Sequence, residues 1–132
     1  MSYTAELAIE GKTFPIRKCE YGFSQKVDLF GKPIPIVISH TIKLELSGTE
    51  DETNISWAAN DKKKMEGTIS FYRADQSVFK EIKFEDGFCI GYKEDIQLLK
   101  SQDSTPIYLH FLEVSAKVIK IGDIKHDNHW PE

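Results

Sequence analysis

The densest cluster of chemistry-bearing side chains in this 132-residue sequence is its tail, His126-Asp127-Asn128-His129-Trp130-Pro131. Two histidines three residues apart beside an acid can supply part of the ligand set of a tetrahedral zinc site. No second half of such a site is evident. Cys19 and Cys89 stand far apart in strand-like segments, with no Cys-x-x-Cys pair and no histidine at metal spacing. The tail therefore reads as a strap, with His126 and Asn128 pinning it through hydrogen bonds and Trp130 as its apolar anchor; no metal and no other cofactor is expected. The cysteines read as reduced thiols behaving as small buried hydrophobes, although a disulfide stays open because sequence does not give their separation. Glu85-Asp86 and Glu94-Asp95 are adjacent carboxylates, but neighbours on a strand point to opposite faces and cannot simply share a site. Gly-x-Ser-x-Gly, a Gly-rich phosphate loop and His-Glu-x-x-His are all absent, so the chain reads as no enzyme.

The whole chain agrees with a small assembled or binding domain. Its length suits one domain, 1–132, with residues 121–132 as a C-terminal tail packed on it. A composition of 40% hydrophobic and 29% charged residues is neither disordered nor membrane-like. A formal charge of -4 argues against a phosphate-backbone binder; Lys62-Lys63-Lys64, the only dense basic run, reads as the close of a helix, and no nucleic-acid partner is expected. No apolar run reaches transmembrane length, so no membrane insertion is expected. The start, Met1-Ser2-Tyr3-Thr4-Ala5-Glu6, lacks a basic region followed by an apolar stretch, hence no secretory signal peptide: the chain is expected to be cytoplasmic until exported by another route.

The elements that must position these residues are mostly strands. Tyr3 to Glu10 and Lys12 to Glu20 flank Gly11 as a hairpin. Phe23 to Leu29 follows as a short strand, and Pro33 and Pro35 turn the next stretch into an extended loop rather than a ladder strand. From Ile36 to Leu46 alternation is clean, with Ile36, Ile38, Ile42, Leu44 and Leu46 on one face. Thr49-x-x-Glu52 has the form of a capping box, predicting a helix over about residues 50–63 that closes on the lysines and stops at Gly67. Trp57 falls opposite the narrow Ile55/Ala58/Ala59 face and needs a partner of its own, either in the same chain or in a subunit interface. Thr68 to Arg73 and Val78 to Tyr92 read as strands around an Ala74–Ser77 turn, with a bulge or tight bend at Asp86-Gly87. A polar loop, Gln102 to Pro106, leads to Ile107–Ile121, which is apolar on both parities; the helix or another subunit must cover its second face.

These residues, in this order, resemble a family. Gln25-x-Val27-Asp28-x-x-Gly31-Lys32-Pro33, the helix with Trp57, Asp75 through Ile90, and Ser115-Ala116-Lys117-x-Ile119-Lys120-Ile121-Gly122-x-x-x-His126-x-Asn128-x-Trp130-Pro131 are similar to the Bacteroidetes branch of the type VI secretion system tube protein, Hcp or TssD. The resemblance implies a mainly β fold: a β-barrel-like domain of two packed antiparallel sheets with one flanking helix. It also implies homohexameric rings stacked into a tube, as in phage tail tubes, with the sheath and spike or baseplate as partners and small effector proteins in the lumen. Carried over by position, Gln25, Asp28, Gly31, Lys32, Pro33, Ile34 and Trp57 are the candidate ring or stacking residues, with Phe30 to Ile36 reaching a neighbouring ring. The sequence departs from the family in Lys32-Pro33-Ile34-Pro35-Ile36, more apolar and stiffer than the family's Arg-Pro followed by small polar residues. The rival reading of the apolar strands is a monomeric β-barrel lined to bind a small apolar ligand.

Overall fold

The computed structural model describes residues 3–98, 107–128 and 130. The Gln102–Pro106 loop and His129 lie outside the described residues. Nine strands and one helix follow in the order β1 (Thr4–Ile9), β2 (Lys12–Glu20), β3 (Phe23–Val27), β4 (Pro33–Ser39), β5 (Ile42–Ser47), α1 (Thr53–Ala58), β6 (Met65–Tyr72), β7 (Val78–Gln97), β8 (Ile107–Ile121) and β9 (Ile124–Asp127).

Glu10 and Gly11, both at positive φ (50° and 74°), make the two-residue turn between β1 and β2; that pair of left-handed residues matches the twist of the strands they join. The main sheet runs β5-β2-β1-β6-β7-β8-β9, all antiparallel, and β5 also pairs with β8. That last pairing closes six strands into a barrel, so the two antiparallel layers expected from the sequence are opposite walls of one closed sheet. Alternate residues fill the interior: Leu7, Ile9, Phe14, Leu44, Ile69, Ile82, Phe84 and Leu112 belong to one buried cluster. β9 pairs with the end of β8, Val118 opposite Asp127.

Helix α1 is shorter than the sequence predicts at both ends. Thr49 Oγ accepts from the Asp51 amide (3.2 Å) and Asp51 Oδ1 from the Thr53 amide (2.7 Å), so these side chains fold a turn ahead of the helix instead of capping it. At the far end Asn60 does the same, taking the Lys62 amide on Oδ1 at 3.0 Å. Lys62 to Lys64 therefore lie in the turn and link between α1 and β6. Gly67 is no helix stop but sits within β6, where an added Cβ would meet Ile9 and the Phe84 ring at 2.6 Å.

The proline stretch, expected as a loop, is paired. Pro33 to Ser39 is a strand, paired with β3 from Val27↔Pro33 to Phe23↔Ser39 across a register shift. Prolines are tolerated there because the pair forms a separate two-stranded sheet in which both strands are edges.

The doubly apolar β8 has a local cause. His110, Leu112, Val114 and Ala116 are buried on one parity and Ile119 on the other. The strand rolls over near Lys117-Val118, opposite Glu85 and Asp86 of β7, where Asp86 takes φ 52° and the β6–β7 register shifts. A bulge adds twist, and here it carries both strands across the core. The Asp86-Gly87 bulge expected from sequence thus accounts for much of the apparent second face.

Candidate functional site

The β3–β4 hairpin is an arm. All five residues of β3 are exposed, and the arm continues the β2–β5 hairpin beyond a joint at Gly22 and His40, where the His40 amide donates to the Gly22 carbonyl at 2.7 Å. Asp28 shapes its tip. Its Oδ1 accepts from the amides of Phe30 (2.9 Å) and Lys32 (3.0 Å), its carbonyl accepts from Gly31 N, and its own amide donates to the Lys32 carbonyl. Gly31 supplies the φ of 80° that the turn requires.

This turn lifts Leu29 and Phe30 into solvent at 100% and 94% exposure. Asp28, Gly31, Lys32 and Pro33 stand out in the sequence, whereas Phe30 enters only as the start of the loop expected from Phe30 to Ile36, and Leu29 falls at the end of an expected strand. Ile34 is 40% exposed on the same arm, and Gln25 sits opposite Val37 within it. Two adjacent, fully exposed large apolar residues on a side-chain-locked turn have no use in an isolated chain and suit a contact with another surface.

Trp57 is not part of that surface. It is fully buried, stacks on Phe84 with 6.2 Å between ring centroids and 4° between planes, and donates Nε1–H to the Gly87 carbonyl at 3.1 Å. Its partner lies in its own chain, so it presents nothing to a neighbouring subunit.

A second candidate surface is one wall of the barrel. β6 accompanies β7 only as far as Gly87, and β1 accompanies β2 only as far as Ile16. Beyond these points the sheet continues as four segments, Lys18–Glu20 of β2, then β5, β8 and the second half of β7. Among the described residues, β7 from Phe88 to Gln97 has a strand partner on one side only, and so has β2 from Lys18. This wall therefore ends in open backbone edges on both sides. Ile90 and Ile96, on the β7 edge, are 58% and 56% exposed.

The outer face of the wall carries a shallow groove of about 350 Å³ lined by Lys18, Glu20, Lys43, Glu45, Lys93, Phe111 and Glu113 around Gly91. Opposite charges face each other across the strands, Lys18 with Glu45 and Glu20 with Lys43. Lys93 lies over the Phe111 ring at 5.3 Å, and Glu113 accepts from the Thr41 hydroxyl at 2.6 Å. On the opposite face of the same two strands, β7 and β8, Glu94 Oε1 gathers the hydroxyls of Tyr92 (2.8 Å) and Tyr108 (3.2 Å) beside the buried His110. Burial first and Glu94 second push both tyrosine pKa values up, keeping these hydroxyls protonated as donors.

The tail meets the arm. Asn128 Oδ1 accepts from the Ser39 amide at 3.1 Å and from His126 Nε2 at 2.9 Å. Its Nδ2 donates to the Ser39 hydroxyl and to the Ala116 carbonyl at 2.9 Å; its backbone amide donates to Lys117 O at 2.8 Å. Because Nδ2 faces a carbonyl, the atom facing His126 is the oxygen, and Nε2 of His126 carries the proton. Trp130 packs against Phe88, 5.8 Å between centroids. Cys19 and Cys89 are free thiols, and burial raises both, Cys19 to about 11, which leaves them unreactive at neutral pH.

The family model described as Hemolysin coregulated protein Hcp (TssD) matches residues 1–131. Among solved structures, Hcp1 from Flavobacterium johnsoniae superposes with a TM-score of 0.83 at 24% identity, covering 95% of this chain and 99% of that one. Hcp1 from Salmonella typhimurium gives 0.69 at 11% identity, covering 92% and 86%. A chain of the anti-feeding prophage baseplate gives 0.56 at 7% identity, covering 97% and 94%. These three likenesses speak for the fold alone. No curated protein matches the chain.

Proposed function

The chain belongs to the Hcp (TssD) family, the tube proteins of type VI secretion, and we propose that it works as a ring-forming tube subunit: copies close into homohexamers, rings stack into a tube, and small effector proteins travel in the lumen. In this reading the sheath and the spike or baseplate are the tube's partners, export is by the type VI apparatus itself, and the subunit's work is mechanical rather than catalytic.

The observation that carries the ring is the wall with two open edges. A rotationally closed ring needs a heterologous interface, one patch meeting a different patch, and the β7 edge from Phe88 to Gln97 and the β2 edge from Lys18 are such a pair. An exposed strand edge bearing Ile90 and Ile96 invites aggregation unless something covers it, and main-chain pairing with the next copy covers it. The six-fold order comes from the family resemblance. The arm, with Leu29 and Phe30 at its tip, then serves the contact between rings.

The rival, a monomeric barrel holding a small apolar ligand, has little room. Leu7, Ile42, Leu46, Ile69 and Ile82 are each 0% exposed within one packed interior, and Trp57, also 0% exposed, belongs to the same cluster.

Size-exclusion chromatography with light scattering, and electron micrographs of the same sample, test the proposal. A mass near six subunits with ring-shaped particles is the expected result; a strict monomer at high concentration overturns it.

A further inference from the structure

We propose that Asn128 is the positioning residue of the β3–β4 arm: by fastening Ser39 to the edge of β8 it fixes the angle at which the arm leaves the barrel, and so where Leu29 and Phe30 meet a neighbouring copy. The inference rests on the ring-and-stack reading and adds to it a device that sets the reach of the arm.

An isolated two-stranded hairpin is marginal in water, and this one has no core of its own. It joins the barrel where both strands break at the same level, between β2 and β3 at Tyr21-Gly22 and between β4 and β5 at His40-Thr41. A joint bridged by one backbone hydrogen bond, His40 to Gly22, leaves the arm free to pivot. Two further hydrogen bonds tie the arm to the rest of the chain, both at Asn128, which accepts from the Ser39 amide and donates to the Ser39 hydroxyl. The ring contact beside it, Phe23 edge-on to His126 at 5.2 Å, is to the same segment of tail.

Asn128 is suited to this by where it is held. β5 covers the edge of β8 up to Val114, opposite Ile42, and β9 covers it again from Val118, opposite Asp127. Between them lie Ser115, Ala116 and Lys117, and Asn128 takes the carbonyls of the last two. A planar amide with two donors and two acceptor sites thus bridges the barrel wall and the last residue of β4. His126, donating to the same oxygen, keeps the amide from flipping. The tail is a clamp on the arm as well as a strap on the barrel.

Hydrogen exchange of the full chain tests the clamp. In Asn128→Ala, residues 23–39 should exchange roughly tenfold faster, while β1 and the buried half of β7 keep their protection; stacked assemblies in micrographs should become shorter and less regular. Ser39→Ala leaves the tail's bonds to β8 in place and should show a smaller rise confined to the arm. Unchanged arm protection in both variants overturns the proposal, and so does a loosened arm with assemblies like those of wild type. A wild-type chain that stays monomeric overturns the ring reading instead, and it is recognised without any variant.

Discussion

Trp57 donates its indole N–H to the carbonyl of Gly87, 3.1 Å away, beside the register shift where β6 meets the Asp86-Gly87 bulge of β7. The bulge and the helix are therefore one structure: a residue of the bulge supplies the acceptor that seats Trp57 of α1.

Trp57→Ala should cost about 3–5 kcal/mol, since it empties a fully buried site against Phe84 and strands the Gly87 carbonyl. Trp57→Phe keeps most of the packing and loses the donor, for about 1–3 kcal/mol. Urea unfolding of both variants checks the order. A Trp57→Ala variant as stable as wild type but altered in assembly would return Trp57 to an interface role.

At the tip of the arm, Leu29→Ser with Phe30→Ser should leave the folded barrel untouched, because both side chains are exposed and surface changes rarely move stability by more than about 0.5 kcal/mol. Light scattering and micrographs should nevertheless show fewer stacked particles. Asp28→Ala, which removes the acceptor for the Phe30 and Lys32 amides, should weaken stacking in the same direction. Normal tubes in the double serine variant would remove the tip from the assembly.

The tie between the first hairpin and the loop before α1 is acid-sensitive in a defined direction. The Lys12 ammonium, donating at 2.8 Å, and then Thr53 hold the Asp51 carboxyl far below the usual carboxylate range. A carboxyl depressed in the folded state contributes stability that is complete above its unfolded pKa, about 3.9, and is lost as pH falls through the folded value. Denaturant midpoints measured from pH 5 downward should therefore fall less steeply in Asp51→Asn than in wild type. Parallel slopes would show that the contact, exposed as it is, contributes nothing.

What the sequence discloses and hides follows from the range of the forces involved. The hairpin at Gly11, the turn at Ala74–Ser77 and the bulge at Asp86-Gly87 were legible because their backbone conformations are set by local residues. Helix α1 was overextended because Thr49, Asp51 and Asn60, which serve helix caps and turns equally well, chose turns. The rollover of β8 near Lys117 depends on a bulge in its partner strand, so parity counted along β8 alone reported a second apolar face. At the tip, the strand read as far as Leu29 stops at Val27 because the Asp28 carboxylate accepts from the Phe30 and Lys32 amides and folds a turn; Leu29 follows no period to mark its exposure, and Phe30 was reached only as part of the loop from Phe30 to Ile36. The open edges of β2 and β7 are visible only once the strand pairings are known.

Asn54 is the last test, and it concerns the helix that seats Trp57. It is fully buried on the same side of α1 as Trp57, and neither its amide nitrogen nor its oxygen has a hydrogen-bond partner. A buried polar group in that condition forfeits about 1–3 kcal/mol of desolvation without return. Leucine has nearly the same shape and no such cost, so Asn54→Leu should raise the stability of the fold, by about 1 kcal/mol after allowing for imperfect packing of its methyl groups. The helix is only six residues long and lacks a side-chain cap, so a gain there should also slow exchange of the Trp57 indole N–H. A variant that is less stable than wild type would mean that the amide is needed where it is, as a polar contact of the assembled state or as the binder of an internal water; an assembly defect in an otherwise stable variant would separate the first from the second.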